Sequence, residues 1–189
     1  MLAPLMSRLR GFREDRDGSY SIEAILVLPM LAWAILAMFS YFDGLRLANA
    51  NIKAAHTISD VLSRESSPIN DAYIDGTYRL MTFLIDRGYD SALRVSVYRY
   101  DGDDQQFEVM WSETRGTSGQ MNAATPDQNR ARLPITADGD TIIVVETWMD
   151  YRSAFVMGLK DTTLFNFVVT SPRFAPQVLF DDGTLVSTS

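Results

Sequence analysis

The sequence predicts an α+β protein: a long N-terminal transmembrane and stem α-helix, a second helix, and a roughly four-stranded antiparallel sheet. Three observations carry the prediction. Ala24–Phe42 is an uncharged, largely apolar run of nineteen residues. Apolar residues recur at helical spacing beyond it, and four later stretches alternate or run apolar between turn signals.

The elements follow in order. At 1.5 Å per residue, nineteen residues span ~28 Å, close to the ~30 Å hydrocarbon core of a bilayer. A secretory signal has a shorter apolar region, about 7–15 residues, and a small-residue cleavage site. SYFDGLRLA, which continues from Ser40 past the end of the run, offers no such site, so the run reads as a span that stays. Leu45, Ala48, Ile52, Ala55 and Leu62 continue an apolar spacing of about 3.5. They extend the helix as an amphipathic stem to about Arg64. Pro29 lies inside the run, and its missing N–H leaves the carbonyl of Ile25 without a helical partner, which predicts a kink.

Arg8, Arg10, Arg13 and Arg16 precede the span. The positive-inside rule keeps such a terminus cytoplasmic and puts residues 43–189 on the far side; the nearby Glu14, Asp15 and Asp17 weigh little in it.

After the stem, SSPIND (Ser66–Asp71) is a break, with Asn70 or Asp71 as the N-cap of a second helix. Tyr73, Ile74, Tyr78, Met81, Leu84 and Ile85 fall near helical spacing, and Gly88 supplies the stop. LRVSVYRY alternates Leu93, Val95 and Val97 with polar residues, and QFEVMWSE alternates Phe107, Val109 and Trp111; YDGDDQ between them is a hairpin turn. Residues 113–140 are polar and aperiodic and read as a long surface excursion. DTIIVVETW (Asp140–Trp148) and TLFNFVVTSP (Thr163–Pro172) are two more strands, joined by a short segment with some helical character.

Composition narrows the chemistry. The chain carries a net charge of −7, no cysteine and one histidine, His56. Without a basic excess, nucleic acid is not an expected partner. Without cysteine there is no disulfide framework and no thiolate metal site, and a single histidine removes most His-based metal and triad chemistry. Asp101, Asp103 and Asp104 resemble the start of a calcium loop but lack the Gly and Glu at the required spacing, so they read as a solvated turn. So do Asp181, Asp182 and Gly183, near a fraying terminus. His56 reads as a surface or interface residue of the stem, and Trp111 and Trp148 as core or rim. The serines lack a partner base or a nucleophile elbow. The chain is not expected to be an enzyme, and no metal or cofactor is expected.

The mouth of the span carries one acid. Gly18 is followed by four residues and then Glu23, after a short basic leader. This arrangement resembles the G/xxxxE site of type IV prepilins. The run IEAILVLPMLAWAI, with Ser19 rather than an aromatic residue after the glycine, resembles the TadE/TadF-like minor pseudopilins of tight-adherence (Flp-type, type IVb-like) pili. VVETWMDYRSAF (Val144–Phe155) followed by an apolar strand and SPRF (Ser171–Phe174) is similar to the ending of that family. The resemblance implies a pilin-like fold with residues 1–18 as a cytoplasmic leader, 19–65 as span and stem, and 66–189 as a periplasmic or extracellular domain. It implies cleavage between Gly18 and Ser19 by a prepilin peptidase at the bacterial inner membrane. The implied partners are that peptidase, other pilins and minor pseudopilins, the inner-membrane assembly platform and membrane lipid. The family often carries cysteines or a longer extracellular region, and this chain has neither.

The physics of Glu23 allows two roles. An acid near a helix start interacts favourably with the helix dipole, worth about 0.3–1 kcal/mol. If the chain is cut, Ser19 gains an α-amine with a reference pKa near ~7.7–8.0, largely protonated at neutral pH. Glu23, one turn on, then neutralises that amine or the amine of a neighbouring subunit, where low dielectric strengthens the pair. The expected function is thus a minor pseudopilin that assembles through its N-terminal helix. Its rivals are an uncleaved single-pass anchor displaying a binding or sensing domain, and a tethered periplasmic hydrolase.

Overall fold

The computed structural model describes residues 19–85, 88–117, 132–153, 155 and 160–183. The element order is α1 (Ser19–Ser63), α2 (Asp71–Ile85), β1 (Ser91–Asp101), β2 (Gln106–Gly116), β3 (Thr141–Tyr151) and β4 (Thr162–Thr170). The chain is α+β, with one four-stranded antiparallel sheet in the order β2-β1-β3-β4. It falls into two compact units whose boundary cuts α1 after Phe42.

In the first unit α1 is apolar on nearly every side, and its large residues from Ile22 to Phe42 are exposed, apart from the half-buried Leu36. The helix continues through Pro29. Among the described residues it is the one helix long and apolar enough to cross a membrane.

In the second unit the stem half of α1 buries Leu47, Asn51, Ala54, Ala55, Ile58 and Leu62, a stripe at 3- and 4-residue spacing. Each large aliphatic side chain so buried stabilises by about 1.5–3 kcal/mol. The stem lies alongside β4, where Asn51 Nδ2 donates to the Leu164 carbonyl at 3.3 Å. Of the residues that carry the predicted spacing, Ala55 and Leu62 are inward, while Leu45 and Ile52 face out. A 3.5-residue count drifts slowly round a 3.6-residue helix and cannot tell its two apolar sides apart.

The stem ends as predicted, one residue before Arg64. Its last carbonyl, on Ser63, accepts the Arg173 N–H at 2.8 Å, and the Arg173 guanidinium reaches Asp60 at 3.4 Å. The SPRF turn thus satisfies a helix end that would otherwise hold an unpaired acceptor. Asn70 is the N-cap of α2, with Oδ1 accepting the Tyr73 N–H at 3.0 Å. The helix ends at Ile85, ahead of Gly88, which lies in the following turn without the positive φ of a left-handed cap.

β1 and β3 are central, and both their faces are buried. On one face, α2 is tied to β1 and β2. Tyr78 donates its hydroxyl proton to the Ser91 carbonyl, and Arg115 is held by Asp71, Asp75 and Glu113. Those three carboxylates hold the Arg115 guanidinium above its already high range, Asp75 most of all. The other face holds Tyr98, Ile142, Val144 and Leu133, with Phe107, Phe167 and Val169 against them.

Two further expectations change. Val97 pairs with Trp111 but Tyr98 with Val109, so Met110 is a bulge. An extra residue shifts the alternation by one, so Phe107 and Val109 face one side and Trp111 the other. Val109 is exposed, while Trp111 donates its indole N–H to the Val178 carbonyl at 2.8 Å and stacks on Phe180. Residues 113–116 belong to β2, and Leu133 enters the core, so the predicted 113–140 excursion is shorter at both ends; residues 118–131 lie outside the described ones. In the β3–β4 connection, the described residues 152, 153, 155, 160 and 161 are not helical.

Both predicted acidic turns are present. Asp101 Oδ1 accepts the Asp103 and Asp104 N–H groups, and Asp181 Oδ1 accepts that of Gly183. The second does not sit on a frayed end. Ile69 N–H donates to the Leu179 carbonyl, the Asp181 N–H donates to the Ile69 carbonyl, and Val178 is buried.

Candidate functional site: the apolar helix and its mouth

Of the four residues singled out at the mouth, Ser19, Glu23 and Pro29 lie on α1, and Gly18 lies outside the described residues. Glu23 and Pro29 are exposed. Glu23 is the fifth residue of α1, beyond its first turn, where the helix dipole has largely fallen off. It follows Ser19 by four positions, about one helical turn. From Ser19 to Phe42, Glu23 is the sole charged residue.

The helix is all-round apolar because Ile, Leu, Val, Met, Trp and Phe occupy every face of it, not one stripe. Such a surface is unstable in water and must be covered by lipid or by other apolar helices. The tyrosine and phenylalanine at its far end, Tyr41 and Phe42, precede the next charge after Glu23, Asp43. Aromatic residues of this kind favour the level of the lipid headgroups.

The second unit offers a groove and a buried ion pair. The groove, about 340 Å³, is lined by Arg46, Asn49, Ala50, Lys53, Ala54 and Thr57 of the stem and Leu84 of α2. His56 is exposed on the stem, as expected. Sequence reasoning did not find the ion pair: Arg94 Nε donates to Glu146 Oε2 at 2.6 Å, and the guanidinium lies 4.9 Å from the Trp148 ring centroid. The two residues are directly paired across β1 and β3. Burial holds the nearby Tyr98 hydroxyl above its usual range. Among the described residues, no group of three or more His, Cys, Asp or Glu side chains is placed to hold a metal ion.

Comparison with protein-family profiles, with characterised proteins and with solved structures returns no match for this chain. What the fold itself shows is an α+β head built on the second half of a helix whose first half is apolar enough to span a membrane.

Proposed function

We propose that the chain is a minor pilin-like subunit, similar to the TadE/TadF pseudopilins. In this reading it is inserted with its N-terminus in the cytoplasm, cut between Gly18 and Ser19 by a prepilin peptidase, and assembled through α1 into or at the base of a tight-adherence pilus. The observation that supports this best is the placement of Glu23. It is the single charge in the exposed apolar half of α1, Ser19 to Phe42, five residues after a glycine and one turn from the residue that cleavage would leave as the new terminus.

A lone carboxylate at such a depth is costly. A cationic partner offsets that cost, and cleavage before Ser19 would create one on the same side of the helix or on the next subunit. The built-in stem suits assembly as well, because the head grips the helix through Leu47, Ala54, Ile58 and Leu62.

Two variants in cells that make the peptidase separate the two parts of the proposal. Gly18→Ala should remain at precursor size. Glu23→Gln should be processed normally but be lost from the sheared filament or assembly-platform fraction. If Gly18→Ala still matures to a Ser19 terminus, the cleavage assignment fails. If Glu23→Gln assembles at the wild-type level, the role of the acid fails.

A further inference from the structure

Beyond Phe42 the stem has two apolar sides, and the head uses only one. Leu47, Ala54 and Ile58 point into the fold. Leu45 and Ile52 point the opposite way and stay 59% and 42% exposed. At 100° per residue they sit roughly 120° round the helix from the centre of the buried stripe. They also stand about 4.5 and 15 Å beyond Phe42 along the axis. Hydrocarbon ends near Phe42 in the reading above, so lipid tails do not cover Ile52.

The outward residues belong to a longer repeat. Ile35, Met38, Phe42, Leu45, Asn49 and Ile52 follow the 3-4-3-4-3 spacing of alternating heptad positions. Each of the six is exposed. A spacing held at 3.5 over several turns makes a seam that wraps left-handed on a partner helix. Its one polar member, Asn49, takes an a position, with Leu45 and Ile52 at the flanking d positions. A single asparagine at an a position in such a seam fixes register and partner number.

We propose that this seam pairs α1 with α1 of a second copy of the chain, in parallel and in register. Three features favour a second copy over an unrelated helix. Two copies inserted the same way meet in parallel with like residues at the same depth, which is the self-matching geometry of a two-fold contact. An amide opposite its own copy is both donor and acceptor, so Asn49 satisfies Asn49, whereas an apolar helix would leave it unpaired. The positions facing away from the seam, Leu47 and Ala54, are those on which the fold is built, so the partner approaches from the open side.

The seam has a defined upper end. The next a position is the exposed His56, and Ser59, two turns above Ile52, is already buried in the fold. This pairing does not depend on cleavage after Gly18 and would hold equally for an uncleaved anchor.

The chain has no cysteine, so single cysteines report directly on neighbours. Full-length chains carrying Leu45→Cys, Asn49→Cys or Ile52→Cys are oxidised in native membranes beside Thr57→Cys, an exposed stem residue off the seam. The expected result is a covalent dimer of this chain at positions 45, 49 and 52, at least tenfold above position 57. Asn49→Asp, introduced with Ile52→Cys, should abolish the dimer by placing like charges in register. Uniform crosslinking at all four positions, no crosslinking at any, or crosslinking only to a chain of different mass overturns the proposal. Repeating the assay in the Gly18→Ala background separates the two readings, since the crosslink should persist there.

Discussion

Replacing Glu146 by leucine tests how the head is held together. Glu146 is 2% exposed and Arg94 7%, and their contact is 2.6 Å between the middle strands of the sheet. Removing one member of a buried pair leaves the other charge desolvated without its counter-ion, at about 3–5 kcal/mol. That is a large part of the ~5–15 kcal/mol that holds an ordinary domain folded. With a urea dependence of about 2 kcal/mol per M, the midpoint should fall by about 2 M. Arg94→Met should cost a similar amount, although it also removes the guanidinium from the Trp148 ring. The double variant, apolar on both strands, should recover to within about 1 kcal/mol of the parent or exceed it. The assay is urea unfolding of detergent-solubilised full-length chain, followed by tryptophan fluorescence, with all four members of the cycle. Two single variants that each shift the midpoint by less than about 0.5 M, with a double that is merely their sum, would refute the reasoning.

Further outcomes concern the backbone and pH. Gly116 has φ +81°, and a Cβ there would lie 2.2 Å from the Ser91 carbonyl oxygen, whereas Gly139 at φ +78° has open space around it. Gly116→Ala should therefore cost at least about 2 kcal/mol and Gly139→Ala about 1; equal losses in urea unfolding would contradict the close approach. Asn70→Ala removes the N-cap of α2 and should cost about 1 kcal/mol, with Asn70→Asp close to neutral. The Tyr73 hydroxyl is held well above its usual range by burial and by its 2.6 Å hydrogen bond to Glu65. An unfolded tyrosine ionises near pH ~10, so the stability this group contributes is whole below that pH and is lost as pH rises above it. The pH dependence of unfolding above pH ~10 should be shallower in Tyr73→Phe; an unchanged slope would sink the assignment.

Much of the architecture was legible because the signals are local. The uncharged run, the Asn70 cap and the strand stretches each announce themselves within a few residues. What was missed depends on contacts between distant residues. Nothing in LRVSVYRY tells that Arg94 is buried, because its partner lies 52 residues on. Alternation did not show that β1 and β3 are covered on both faces, which needs Leu133 from a stretch with no period of its own. The bulge at Met110 carries no glycine or proline, so the reversal of Trp111 left no trace in composition. In the stem, apolar spacing shows that a helix has an apolar side without showing which element meets it, so the outward placing of Leu45 and Ile52 comes from the fold alone. Glu23 is the reverse case, since its spacing from Gly18 is plain in the sequence and the fold adds that it lies past the first turn, on an exposed apolar surface.

The most direct test of the proposed role is the N-terminal residue of the protein extracted from membranes of cells that make the peptidase. A chain beginning at Ser19 is the predicted result, since that new amine is what gives Glu23 its partner. A chain beginning at Met1 would contradict the account and leave a single-pass anchor that carries its head uncut.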